Sequence, residues 1–170
     1  TEVGENRHQE AQTKAAECAD LDLRWHFVGG LQSNKAASVA RYADVVESVD
    51  RKKLVAPLAR GAGERGSRVQ VLLQVSLDPP GSEHRAGASP SDLPELAETV
   101  GSHPELELAG LMAVAPLGED PATSFARLAG VRNGFLQHHP HATVLSAGMS
   151  QDLEQAILHG ATHVRVGSAI

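Results

Sequence analysis

The sequence predicts an α/β fold of the (β/α)-barrel type, on three observations. Short β-rich runs alternate with helical patterns along the chain, as parallel strands joined by crossover helices require. Several runs are nearly continuous apolar stretches, as in Val69-Gln70-Val71-Leu72-Leu73-Gln74-Val75, which suits strands covered on both faces. Six successive strand–helix units pass without a G-x-G-x-x-G turn, so a barrel is favoured over an open doubly wound sheet.

Each element follows from local chemistry. Strands are predicted at residues 25–29, 45–49, 69–77, 106–115, 143–147 and 163–166, after a stub at Val3. Residues 54–60 are helical in pattern, but Pro57 predicts a short or kinked helix. Residues 61–67 and 78–89 are polar and glycine-containing and read as loops. Ser89 is a helix cap, Pro90 fits the first turn, and Leu93, Leu96, Ala97 and Val100 recur at the spacing of one buried face before Gly101. Asp120-Pro121 opens the next helix, with Phe125, Leu128, Val131 and Phe135 after it. Ser150 precedes Asp152-Leu153-Glu154, where acidic residues favour a helix start, and Gly160 closes that helix. Thr1-Glu2-Val3 reads as the end of a strand, and the run from His163 to Ile170 as a strand and turn with nothing following. The chain is therefore expected to be a fragment: one domain over residues 1–170, an incomplete barrel lacking N-terminal strand and C-terminal tail.

Composition narrows the function. The 170 residues are 41% hydrophobic and only 3% aromatic, so the core is built from Val, Leu and Ala. A net charge of −6 disfavours nucleic acid as a partner, because phosphate neutralisation needs a basic face. No stretch approaches the ~20 apolar residues of a membrane span, and Thr1-Glu2-Val3-Gly4-Glu5-Asn6-Arg7 does not read as a signal peptide. Cys18 is the single cysteine, which fits a reducing, cytoplasmic setting. It has no adjacent base and is not expected to be a nucleophile.

Sites in such barrels form at the C-terminal ends of the strands, with a phosphate site in the loops after the last two. Those ends carry Glu5-Asn6, His26, Ser48, Asp50, Ser76, Met112, residues 146–150 and residues 165–168. Ser150 at a helix start, Gly167 allowing close backbone approach and Ser168 with its hydroxyl form a phosphate cradle. The plainer reading is that Ser150 is a helix cap and Gly167 a turn. Arg165, inside the last strand, either meets a ligand or pairs with a carboxylate such as Glu154. His26, between Trp25 and Phe27, reads first as a satisfied core histidine. His138-His139-Pro140-His141 reads as a helix-end loop rather than a zinc site, and Arg51-Lys52-Lys53 as a solvated face.

Five segments carry a resemblance. Gly4-Glu5-Asn6-Arg7-His8-Gln9-Glu10, Trp25-His26-Phe27-Val28-Gly29-Gly30-Leu31-Gln32-Ser33-Asn34-Lys35, Gly110-Leu111-Met112-Ala113, Ser146-Ala147-Gly148-Met149-Ser150-Gln151-Asp152-Leu153-Glu154 and Val164-Arg165-Val166-Gly167-Ser168-Ala169-Ile170 resemble the pyridoxal phosphate homeostasis proteins, in that family's order. The resemblance implies a (β/α)8 TIM-type barrel related to the N-terminal domain of alanine racemases. It implies a carrier or buffer of pyridoxal 5′-phosphate in vitamin B6 balance, not an efficient enzyme. It makes Ser150, Gly167 and Ser168 phosphate contacts, sets Arg165 against the pyridine nitrogen, and puts Asn6 and Met149 near the cofactor. The lysine that forms the Schiff base in the family is expected upstream of Thr1, since Lys14, Lys35, Lys52 and Lys53 do not match its motif. A monomer with a small-molecule partner is expected. The alternative is an amino-acid racemase, against which Val114 stands where racemases carry a histidine packed on the ring.

Overall fold

The apolar runs become strands because both their faces are covered. All five residues of Val45–Val49 are buried, and in Val69–Val75 every residue but Gln70. The computed structural model describes residues 1–78 and 86–167. Within them, seven parallel strands form one sheet: β1 (Glu2–Glu5), β2 (Arg24–Phe27), β3 (Val45–Val49), β4 (Val69–Val75), β5 (Leu106–Ala113), β6 (Val144–Met149) and β7 (His163–Arg165). Strand order follows chain order without reversal, which removes the doubly wound alternative. The sheet curls into a nearly closed, partial barrel. Glu2 on β1 comes within 3.7 Å of His26 on β2 and 3.6 Å of His163 on β7, so the first and last strands face one another.

Alternation along the strands splits the core in two. Val46, Val71, Leu73, Leu111 and Leu145 point outward and pack under the helices with Leu58, Leu96, Phe125 and Leu128. Val45, Leu72, Ala109 and Met112 fill the barrel interior. The helices are α1 (His8–Glu17), α2 (Ser33–Ala40), α3 (Val55–Arg65), α4 (Leu93–Gly101), α5 (Pro121–His138) and α6 (Leu153–Leu158).

The expected α4 face of Leu93, Leu96, Ala97 and Val100 is buried, and Asp120 caps α5 by accepting the Thr123 N–H at 3.1 Å. Four expectations are corrected. Pro57 neither shortens nor breaks α3, because it lies in the first turn, where backbone N–H groups have no intrahelical acceptor. Residues 61–65 are not loop but the end of α3. A Cβ on Gly61 would lie 2.2 Å from the Ala37 carbonyl oxygen, so glycine is there to let α3 press against α2. Ser89 makes no capping bond; its hydroxyl meets that of Ser91 at 2.9 Å. Ser150 is not the cap of α6: the cap position is Asp152, two residues on.

Candidate functional site

The C-terminal ends of β4, β5, β6 and β7 open on a cavity of about 1050 Å³. Met149, Ser150, Arg165 and Gly167 all line it. Asn6 instead lines an adjoining cavity of about 320 Å³ between β1 and β7, which Arg165, Gly167 and Val28 share with the larger one. Ser168 lies outside the described residues. Four of the six expected site residues thus share one space and a fifth borders it. None of the four lysines, Lys14, Lys35, Lys52 and Lys53, lines either cavity.

The loop carrying Ser150 is shaped by its neighbours. Gly148 has a φ of +92°, and a Cβ there would meet the Ala156 Cβ at 2.6 Å, so only glycine lets the chain turn tightly over α6. The Met149 N–H then donates to Asp152 Oδ1 at 2.6 Å, which pins the turn. Met149 is half-exposed at the cavity mouth. Val28, Val114 and Leu117 supply further apolar wall.

Beneath the cavity lies a buried polar network that sequence reasoning did not assemble. Arg165 Nη1 donates to Ser146 Oγ at 2.7 Å and Nη2 to the Ala113 carbonyl at 2.9 Å. Ser146 Oγ donates to Glu47 Oε2 at 2.6 Å, and His26 Nδ1 meets Glu47 Oε1 at 2.7 Å. A carboxylate is acceptor only, so the His26 proton sits on Nδ1. Among the described residues His26 Nε2 is buried without a hydrogen-bond partner, on the side of the smaller cavity, with Glu2 Oε1 3.7 Å away. His26 is therefore a core histidine only half satisfied. Arg165 meets Glu47, 4.0 Å away, and not the Glu154 considered from sequence.

Burial pushes the Glu47 carboxyl up. The hydrogen bonds from His26 and Ser146, with the charges of His26 and Arg165, outweigh this and hold it below the ordinary carboxylate value. Burial lowers Arg165, opposed by the carboxylates of Glu47 and Asp152. At the cavity rim Glu119 is held to about 2, first by Arg127, which donates to both its oxygens at 2.7 and 3.0 Å, then by the Ser124 hydroxyl. The missed residue is Glu47. Its signal was present as the lone carboxylate inside Val45-Val46-Glu47-Ser48-Val49.

The chain matches, over residues 1–170, the family described as alanine racemase, N-terminal domain. It is 42% identical over 177 residues to the pyridoxal phosphate homeostasis protein of Corynebacterium glutamicum, covering 100% of this chain and 78% of that protein. It is 43% identical over 185 residues to that of Mycobacterium tuberculosis, covering 99% and 72%. Among solved structures, PipY of Synechococcus elongatus with PLP bound superposes with a TM-score of 0.86 at 40% identity, covering 97% of this chain and 78% of that one. An alanine racemase of Clostridium difficile superposes with a TM-score of 0.73 at 12% identity, covering 98% and 44%, a likeness of fold alone.

Proposed function

Because the chain belongs to the pyridoxal phosphate homeostasis proteins, within the alanine racemase N-terminal-domain family, we propose that it holds pyridoxal 5′-phosphate in the larger cavity as a carrier or buffer of that cofactor. The observation that carries this reading is the convergence of Met149, Ser150, Arg165 and Gly167 on one cavity. When bound, the cofactor supplies an electrophilic aldehyde and an electron-withdrawing pyridine ring. The Ser150 hydroxyl and the Gly167 backbone offer donors to phosphate oxygens. Arg165, a permanent cation with donors only, meets the ring nitrogen as an acceptor and keeps it unprotonated. Val114 and Met149 offer the cofactor ring apolar contacts at the cavity wall, and Asn6 stands at its border. Ser168 completes the phosphate contacts on the strength of the family motif. The lysine that bonds the aldehyde lies upstream of Thr1, in keeping with the absence of lysine from both cavities.

Racemase chemistry is not part of this reading. A second acid/base group would have to stand free in the cavity. Glu119 is committed to Arg127 and Ser124, Asp152 accepts from Met149, and Asp78, also on the wall, faces the charge of Arg127. An unprotonated ring is also a weak electron sink. Residues 1–170 are taken as part of a single barrel domain, in a protein working as a cytoplasmic monomer. No described helix is long and apolar enough to cross a membrane, and light scattering tests the oligomeric state.

The complete protein, mixed with pyridoxal 5′-phosphate, is expected to gain a visible absorbance band that borohydride removes, with the label on a lysine outside residues 1–170. Labelling of Lys35, or no band, overturns the reading. Rapid α-proton exchange of added amino acids at racemase-like rates restores the enzyme alternative.

A further inference from the structure

The barrel interior carries an ionised group that cofactor binding does not itself use. Interior layers of such barrels are ordinarily filled by branched aliphatic side chains. Here Glu47, 2% exposed, lines the smaller interior cavity with His26 and Ser146. A carboxylate in that setting is unfavourable unless paired and hydrogen-bonded. Its partners form a one-way line of donors. Ser146 Oγ receives Arg165 Nη1 at 2.7 Å, and its own proton goes to Glu47 Oε2 at 2.6 Å. His26 Nδ1–H closes on Glu47 Oε1 at 2.7 Å. The Ala113 carbonyl takes Arg165 Nη2 at 2.9 Å. The guanidinium cannot turn without breaking both of its bonds, and Ser146 is oriented only because Glu47 takes its proton.

Resting on the cofactor reading above, we propose that Glu47 is a positioning residue: through Ser146 it locks the Arg165 guanidinium under the larger cavity, so that the pyridine nitrogen meets a fixed donor. His26 holds the far oxygen of Glu47 and is the third member of the lock. Glu47 itself touches no part of the cofactor.

The test uses the complete protein with ring-nitrogen-15 pyridoxal 5′-phosphate, and an analogue in which a CH replaces the ring nitrogen. Glu47→Gln keeps shape and removes charge; Ser146→Ala cuts the link and leaves Glu47 in place. Each is expected to move the ring-nitrogen resonance and to weaken pyridoxal 5′-phosphate binding roughly tenfold, the scale of one hydrogen bond to a charged group. Affinity for the CH analogue is expected to stay within about twofold, since it offers Arg165 no acceptor. Equal weakening of both ligands with an unmoved resonance overturns the proposal and leaves Glu47 a folding residue. A second measurement needs no substitution. In the ligand-free unmutated protein, Arg165 is expected to show separate Nη nitrogen-15 resonances from slow rotation, and averaged resonances overturn the lock. If the unmutated protein takes up neither ligand, the cofactor reading has failed, and the Nη measurement still decides the network.

Discussion

At Glu47 two effects oppose each other on one carboxyl group. Burial favours the neutral acid, while the bonds from His26 and Ser146 and the nearby positive charge favour the anion and prevail, setting the group below its ordinary 4.5. A carboxyl lowered on folding adds stability above its unfolded value, and that stability is lost as pH falls through the folded value. The difference in Tm between the unmutated protein and Glu47→Gln is therefore expected to be largest near neutral pH and to shrink as pH drops below about 4.5. A difference constant with pH would mean that the charge does not matter. Calorimetry of both proteins checks it. At the cavity, Ser150→Ala is expected to weaken pyridoxal 5′-phosphate by about 0.5–3 kcal/mol and to leave unphosphorylated pyridoxal unaffected. Titration calorimetry with both ligands checks this, and equal weakening would give Ser150 a folding role instead. Individual site residues were legible wherever a residue type is rare in its setting. Arg165 inside a strand and His26 between two aromatics both stood out, but their partner did not. Glu47 and Ser146 are 99 positions apart, and only the curvature of the sheet brings them to one bond.

Element by element, legibility followed the strength of local punctuation. The five residues of Val45–Val49 and the buried face of α4 emerged as read, because apolar periodicity and burial agree there. The glycines of α3 misled, because a glycine chosen for close packing has the same letter as one chosen for a turn. The structure separates them. Gly61→Ala drives a methyl into the Ala37 carbonyl, 2.2 Å away, and is expected to destabilise by about 1–3 kcal/mol. Gly63→Ala meets only the Glu105 Cγ at 3.7 Å and is expected to be neutral or to stabilise by roughly 0.4–1 kcal/mol. Urea midpoints at unchanged slope read both. The same change two residues apart then has opposite signs, which helix propensity alone does not produce.

For the molecule as a whole, alternation and the absence of a dinucleotide turn were enough to choose barrel over open sheet, and the unreversed strand order agrees. Closure was not legible, since it depends on accumulated strand twist and not on any single residue. A ligand that binds only the folded state stabilises it by mass action, so pyridoxal 5′-phosphate at a hundred times its Kd is expected to add about 2.7 kcal/mol. A scanning-calorimetry series in cofactor concentration reads it, and an unchanged Tm would mean that the folded chain does not select the cofactor. The meeting of β1 and β7 adds a consequence in time. Among the described residues the backbone of β1 pairs only with β2 and that of β7 only with β6, while β4 and β5 share the long register from Val69↔Leu106 to Val75↔Ala113. Across the seam between the end strands stand side chains such as Glu2 and His163. Amide protons of β4 and β5 will therefore wait for global unfolding before they exchange, while those of β1 and β7 trade with solvent through brief local openings. The seam is the barrel's fast door: its breathing frequency sets how soon solvent reaches the buried Nε2 of His26, long before the rest of the wall has moved.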